Sequence, residues 1–412
     1  MAAAADTTAT RSLLSQMLRE GDFLGRARVI GWSGVLLAFE LVALVFLVLW
    51  THNVFVPGPP TTTGFSSFYA AGMLANGPAP WLAYDAAAHH AAQQAATQPG
   101  VEHFVFYYPP IFLLLCAPLA HLPYLPAFLL FEAASLALYL PVGTRILALG
   151  GRAGWVPVLA FPAAVWTFGL GQNALLTAAL LGGGMLLLER RRTALAGIVL
   201  GLQCYKPHLG LLLPVALLAG REWRAAASAA VTVVLLAGLS LAVFGWPCWH
   251  AYLAAFAKSG SVYSSGQVSF AAFVTPFGAA LLCGARPAVA EAVQALAAAL
   301  AAVAVGWAWR RPAPLPARAA VLYAATLLAV PLALFYDMMP VGLGIFWLAR
   351  LGRRDGFLPW ERLTLALLFL TPLAARYVAL GLHVPLGLLA VIALLALGLA
   401  HVRRATAAAT SR

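Results

Sequence analysis

NALLTAALLGGGMLLLERRR, residues 173–192, is an apolar run that opens on an amide and stops at a carboxylate and three arginines. A run without a charge between Asn173 and Glu189 favours a bilayer. The Arg190–Arg192 cluster says on which side it stops, because cytoplasmic loops gather Lys and Arg. Working outward, similar runs cover about 30–50, 124–147, 154–170, 193–206, 208–220, 225–244, 287–308, 317–335, 340–350, 361–379 and 384–401. With 173–188 these make about twelve spans. Two further runs, 109–121 and 267–283, are read as non-spanning, since counting them as crossings would place Arg190–Arg192 outside. The first starts at Pro109-Pro110, contains Pro118 and ends at Pro123, so a short helix lying in or dipping into the outer interface is expected.

With both ends of the chain inside, all but four of the 25 basic residues are cytoplasmic. The exceptions are Lys206, Lys258, Arg286 and Arg376. Composition agrees with a polytopic membrane protein: 63% of the 412 residues are hydrophobic and 9% are charged, against about 25% charged in a soluble domain. That excludes a soluble enzyme, a disordered chain and a nucleic-acid binder, and the net charge of +12 is topogenic. Asp6, Arg11, Arg19, Glu20, Asp22, Arg26 and Arg28 precede the first apolar run, and no cleavage site follows it, so that run is expected to be retained. Cys116, Cys204, Cys248 and Cys283 have no ligand spacing, and neither a metal site nor a cofactor is expected.

The domain plan is a cytoplasmic segment 1–29, one transmembrane domain 30–401 and a cytoplasmic tail 402–412. Every histidine but His401 falls outside. The largest external loop, 51–123, is too long to be structureless without a functional reason; a second external stretch is 245–286. Thr61-Thr62-Thr63 before the aromatic-rich run 64–72 predicts a capped helix, and Asp85–Gln98 a second one with Asp85 at its positive end. His89 and His90 cannot share one helical face, and Glu102-His103 reads as an acid/base couple or as a solvated loop pair.

Four further groups mark the outer face. Gln172 and Asn173 are placed to bind hydroxyls or to cap the next helix. Tyr205-Lys206-Pro207-His208 joins two short spans, and a compact cation there suits a phosphate, or merely snorkels to the interface. Phe335-Tyr336-Asp337 puts a carboxylate at a Pro-broken junction, where an ionisable group is a functional candidate. Arg376 is the sole external Arg of the last third. Glu40, Glu132 and Glu291, inside spans, would suit a proton relay in a lipid or sugar transporter, but inverted repeats are not visible.

Taken in order, the aromatic-x-Ala-Ala-Gly helix, Trp81-x-x-Tyr84-Asp85, Tyr108-Pro109-Pro110, Pro118-x-x-x-x-Pro123, Gly171-Gln172-Asn173, Gly197-x-x-x-Gly201 with Tyr205-Lys206-Pro207, and Tyr336-Asp337 resemble glycosyltransferase family 87 over about residues 30–380. The resemblance implies an all-α bundle of the GT-C type in the plasma (inner) membrane. It implies a hexosyltransferase that moves mannose from a polyprenyl-phosphate donor to a glycolipid or glycan acceptor, at a site facing the extracytoplasmic side among membrane lipids. Asp337 is then the first choice of base, followed by Glu102 and Asp85, with His103 behind them. Lys206 and Arg376 would hold the donor phosphate, and Gln172, Asn173, Tyr108 and His208 would orient substrate. The family pattern has an acid where this chain has Gly64, and no carboxylate lies between Glu40 and Asp85. That departure implies weakened activity, or an inactive homologue that binds glycolipid.

Overall fold

The computed structural model describes residues 15–51, 64–264 and 268–410. Regular structure among the described residues is helical, apart from one isolated bridge between Phe273 and Leu334. The helices are α1 (Arg26–Thr51), α2 (Gly64–Ala75), α3 (Ala86–Ala96), α4 (Pro110–Leu119), α5 (Tyr124–Leu147), α6 (Val156–Leu159), α7 (Pro162–Gly169), α8 (Ala174–Glu189), α9 (Thr193–Gly201), α10 (Leu213–Ala219), α11 (Trp223–Ser264), α12 (Pro276–Leu282), α13 (Pro287–Trp309), α14 (Leu315–Ala329), α15 (Met339–Asp355), α16 (Glu361–Leu382) and α17 (Leu386–Thr410).

Among the described residues, six helices are long and apolar enough to cross a membrane: α1, α5, α11, α13, α16 and α17. Several of the expected spans are shorter or broken. The run 154–170 is cut into α6 and α7 at Phe161-Pro162, where the Pro ring denies the preceding turn its hydrogen bond. The run 193–206 tightens from α9 into a 3₁₀ turn, and 208–220 begins as one. The run 317–335 ends at Ala329 and continues extended to Leu334.

Length sorts the helices by environment. The interior ones are short: α14 is buried along almost its whole length, and most of α15 is too. The long ones stand around them and turn apolar side chains outward, among them Val234 and Leu235 on α11 and Leu296, Leu300 and Val303 on α13. An exposed apolar face of that extent is a lipid face. Gly197 and Gly201 let α9 lie directly on α11: a Cβ at Gly197 would come within 2.1 Å of the Ala225 carbonyl, and one at Gly201 within 2.8 Å of the Ala229 carbonyl. The Gly-x-x-x-Gly spacing therefore serves helix packing.

The two ends of the bundle differ in charge. At one end Arg350 pairs with Glu189 at 3.0 Å, Arg353 donates to the Leu147 carbonyl, and Arg318 feels both Glu222 and Arg191. His401 meets Glu361 there at 2.7 Å in a buried pair. The loop helices sit at the other end. Helix α2 forms as expected, although Thr61–Thr63, its expected cap, and His52 lie outside the described residues. Helix α3 runs Ala86–Ala96, and Asp85 Oδ1 accepts the Ala88 N–H at 2.9 Å. Helix α4 is short, as expected, and its Ile111, Phe112, Leu113 and Cys116 are buried against α2 and α11. The kink of α11 at Gly245 (φ 76°) brings Tyr252 to 5.7 Å from the Tyr84 ring, so its second half covers this end.

These ends yield a topology prediction. In a Cys283→Ser background, because Cys283 is itself exposed, an impermeant thiol reagent added outside should label Ala87→Cys and spare Arg191→Cys. Both positions are exposed. Labelling of both from one side would overturn the sidedness read from the arginines.

Candidate active site

The site lies where three chain breaks meet. Lys206 falls between the 3₁₀ turns Leu202–Tyr205 and Pro207–Gly210, because Pro207 cannot continue the helical ladder. Asp337 sits in a 3₁₀ turn, Phe335–Met338, between the extended segment after α14 and the start of α15. That segment is held by Val274, whose N–H reaches the Ala333 carbonyl at 3.0 Å, and by Thr275, whose hydroxyl donates to the Pro331 carbonyl at 2.9 Å. Asn173 stands at the start of α8, but its side chain does not cap that helix.

Lys206 Nζ lies 2.6 Å from Asp337 Oδ1 and 3.0 Å from Asn173 Oδ1. Both members of the ion pair are buried, with 3% and 5% of their side chains exposed. The other oxygen of Asp337 accepts the Leu334 N–H at 3.1 Å. Lys206 also stands 5.9 Å from the centre of the Tyr336 ring. A buried lysine held this way does not snorkel.

Tyrosines frame the pair. The Tyr205 hydroxyl donates to the Asn173 carbonyl at 3.1 Å and receives the Thr177 hydroxyl at 2.6 Å. Tyr108 packs on Phe68, Phe106 and Phe112, and its carbonyl accepts the Tyr84 hydroxyl at 2.9 Å. Its own hydroxyl lies beside Asn173 and within the field of Asp337; burial, then that negative charge, push its pKa up, so it stays a neutral donor. His208 is close enough to feel both Lys206 and Asp337. Arg376, exposed on α16, lays its guanidinium 5.6 Å above the Phe335 ring, two residues from Asp337.

The other candidates lie elsewhere. Asp85 is spent on capping α3, and Glu102 is exposed on the loop after it. His103 turns away from an acid partner: its Nε2 lies 3.2 Å from His89 Nδ1, and its ring stacks on His90 at 5.0 Å. His89 donates through Nε2 to the Ser67 carbonyl at 3.0 Å, tying α3 to α2. Burial pushes its pKa down to about 4, so its neutral form is the one that ties the helices. No group of His, Cys, Asp and Glu side chains suited to a metal occurs among the described residues. Glu291 is exposed, whereas both oxygens of Glu40 and of Glu132 are buried without a hydrogen-bond partner.

Gly64, where an acid was expected, meets the end of the Gln172 side chain. A Cβ there would lie 2.0 Å from Gln172 Nε2, so the Gln172 amide fills the space an acidic side chain would enter. Sequence reasoning singled out Gln172 and missed that contact, since nothing in either segment marks it. It also left Tyr205 and Thr177 without a role; Tyr205 had a signal in its place beside Lys206, and Thr177 had none.

The family model for glycosyltransferase family 87 matches residues 106–334, more than half of the chain. The chain belongs to glycosyltransferase family 87. Comparisons with curated proteins and with solved structures return no match. Membership of family 87 makes the protein a membrane glycosyltransferase, with a sugar donor and an acceptor as its substrates. The matched stretch holds Tyr108, Gln172, Asn173, Lys206 and His208, and it ends at Leu334, whose N–H meets Asp337. Gly64, Asp85, Glu102, Asp337 and Arg376 lie outside it.

Proposed function

We propose that the protein moves a mannose from a polyprenyl-phosphate donor to a glycolipid or glycan acceptor, at the outer face of the plasma (inner) membrane, in a bundle of the GT-C type. The observation that supports this reading is the buried Lys206–Asp337 pair at the aromatic end of the bundle, with Asn173 as third partner. A cation in a site of low polarity attracts a phosphate more strongly than it would in water. Lys206 takes the donor phosphate, and Arg376, at the exposed edge, adds a second charge. The acceptor oxygen attacks the anomeric carbon, the bond from that carbon to the phosphate oxygen breaks, and polyprenyl phosphate leaves with the electron pair. The proton of the acceptor hydroxyl passes to Asp337. Tyr108, Gln172, Asn173 and His208 orient the sugar.

In the arrangement seen, both oxygens of Asp337 are engaged, one by Lys206 and one by the Leu334 N–H. Base catalysis therefore follows an exchange: the arriving phosphate draws Lys206 away and leaves Asp337 Oδ1 open. Donor binding and release of the base are one event. The test is transfer by the purified protein in lipid, with radiolabelled polyprenyl-phosphate mannose and the glucose and arabinose donors alongside. Transfer from none of them, in a preparation that retains donor, would support the second reading, a homologue that binds glycolipid without turnover. The absence of an acid at position 64 favours that second reading.

Restoring an acid at position 64 is not a simple gain. Gly64→Asp alone should leave transfer unchanged or lower it, because the new side chain displaces the Gln172 amide. Gly64→Asp with Gln172→Ala removes the collision and should exceed Gln172→Ala alone. Equal transfer by those two variants would show that position 64 has no part in the chemistry.

A further inference from the structure

Glu132 lies in the middle of α5 with none of its side chain exposed and neither carboxylate oxygen hydrogen-bonded. Buried polar groups without partners are rare in folded proteins, and each calls for an explanation. Glu132 shares a face of α5 with Phe128, Phe131 and Ser135, all buried. Its height in the bundle follows from the neighbours of α5. Phe128 lies against Gly171, and Val142 and Ile146 lie against Gly182, so α5 and α8 run parallel. Glu132 is one turn beyond Phe128, about 6 Å along the axis, which brings it level with Asn173–Leu175, at the start of α8.

Two other buried polar atoms without partners occur on the segments that flank this part of α5, the start of α8 and α2. Asn173 Nδ2, beside the Tyr108 hydroxyl, makes no hydrogen bond of full geometry, while Asn173 Oδ1 holds Lys206. Ser67 Oγ on α2 makes none either. Between Glu132 and α2 stand Phe131, Phe65 and Phe68: the Phe131 ring is 5.7 Å from Phe65 and 6.1 Å from Phe68. Aromatic rings, with a carboxyl, an amide and a hydroxyl of spare hydrogen-bonding capacity on the elements that carry or flank them, suit a polyhydroxylated ring. A carboxyl group hydrogen-bonds hydroxyls in either protonation state and brings no positive charge to a phosphate, so Glu132 belongs to the sugar and not to the leaving group.

We infer that Glu132 is the floor of a sugar subsite, hydrogen-bonding hydroxyls of the transferred hexose at the level of Asn173–Leu175, while Lys206 holds the phosphate. The inference rests on the donor assigned under Proposed function. Opening the site requires the Gln172 amide to leave its place over Gly64.

The test uses the full-length protein in lipid nanodiscs and two probes, polyprenyl phosphate and polyprenyl-phosphate mannose. The wild type should bind the sugar-bearing probe at least tenfold more tightly. Glu132→Leu should abolish that preference and leave the affinity for the sugarless probe unchanged; Glu132→Gln, which keeps one acceptor, should retain part of it. The thermal midpoint of Glu132→Leu should not fall, since an apolar side chain replaces a buried carboxylate with no partner. A preference kept in Glu132→Leu, or a wild type with no preference, overturns the inference. So does an equal loss for both probes with a lowered midpoint, which would make Glu132 structural. A wild type that binds neither probe removes the donor assignment itself, and the inference falls with it before any variant is made.

Discussion

Asp337→Asn is expected to reduce transfer by about 10²-fold or more while binding polyprenyl phosphate more tightly than the wild type. The two effects have one cause. Asp337 Oδ1 occupies Lys206 at 2.6 Å and competes with any incoming anion for that cation. Removing the negative charge leaves Lys206 more available to a phosphate, and it also removes the proton acceptor. The amide has one oxygen for two donors, Lys206 Nζ and the Leu334 N–H, so one of these contacts is lost. A buried donor left unsatisfied costs about 1–3 kcal/mol, so a lowered thermal midpoint accompanies the change and must be measured beside transfer. Weaker phosphate binding in Asp337→Asn would make Asp337 a positioning residue for Lys206 and end the exchange described above. Full transfer would remove Asp337 from the mechanism and leave Glu102 and Asp85, on the far side of Tyr84, as the carboxylates to test.

The features legible in the sequence were those fixed by neighbours along the chain. Asp85 caps α3 because an Asp precedes an Ala-rich run, and the capping bond spans three residues. The gathering of Arg350, Arg353, Arg318 and Arg191 at one end was legible because charge reports sidedness residue by residue. Hydropathy did not separate α14 from α13. Both are apolar, and lipid tails are as apolar as a protein interior, so a helix buried in protein and a helix facing lipid read alike. The twelve expected spans are counted without telling the two apart. The Lys206–Asp337 pair joins positions 131 apart. Each residue was conspicuous alone, as the rarer cation and as an acid at a broken junction, yet no local pattern says that they touch. The same holds for Gly64 and Gln172, whose contact turns a missing acid into an occupied space.

Lys206→Ala is expected to weaken polyprenyl phosphate binding about 10- to 150-fold, the equivalent of a charge-assisted hydrogen bond of roughly 1.5–3 kcal/mol. It will also strain the fold, because Asp337 would remain buried without its partner. Breaking a buried pair from one side costs about 3–5 kcal/mol, whereas replacing both members by apolar residues is often neutral or stabilising. Loss of affinity in Lys206→Ala alone would therefore mix lost recognition with lost structure. Lys206→Met combined with Asp337→Leu separates them: the double variant should recover the thermal midpoint and still fail to hold the phosphate. Lys206→Arg keeps the charge and should keep part of the affinity, limited by the fit of a broad planar guanidinium between the Asn173 amide and the Tyr336 ring. Isothermal titration with polyprenyl phosphate in nanodiscs reads all three. If the folded double variant binds phosphate as tightly as the wild type, Lys206 serves only to neutralise Asp337. The donor phosphate must then rest on Arg376, and Arg376→Ala becomes the variant that loses it.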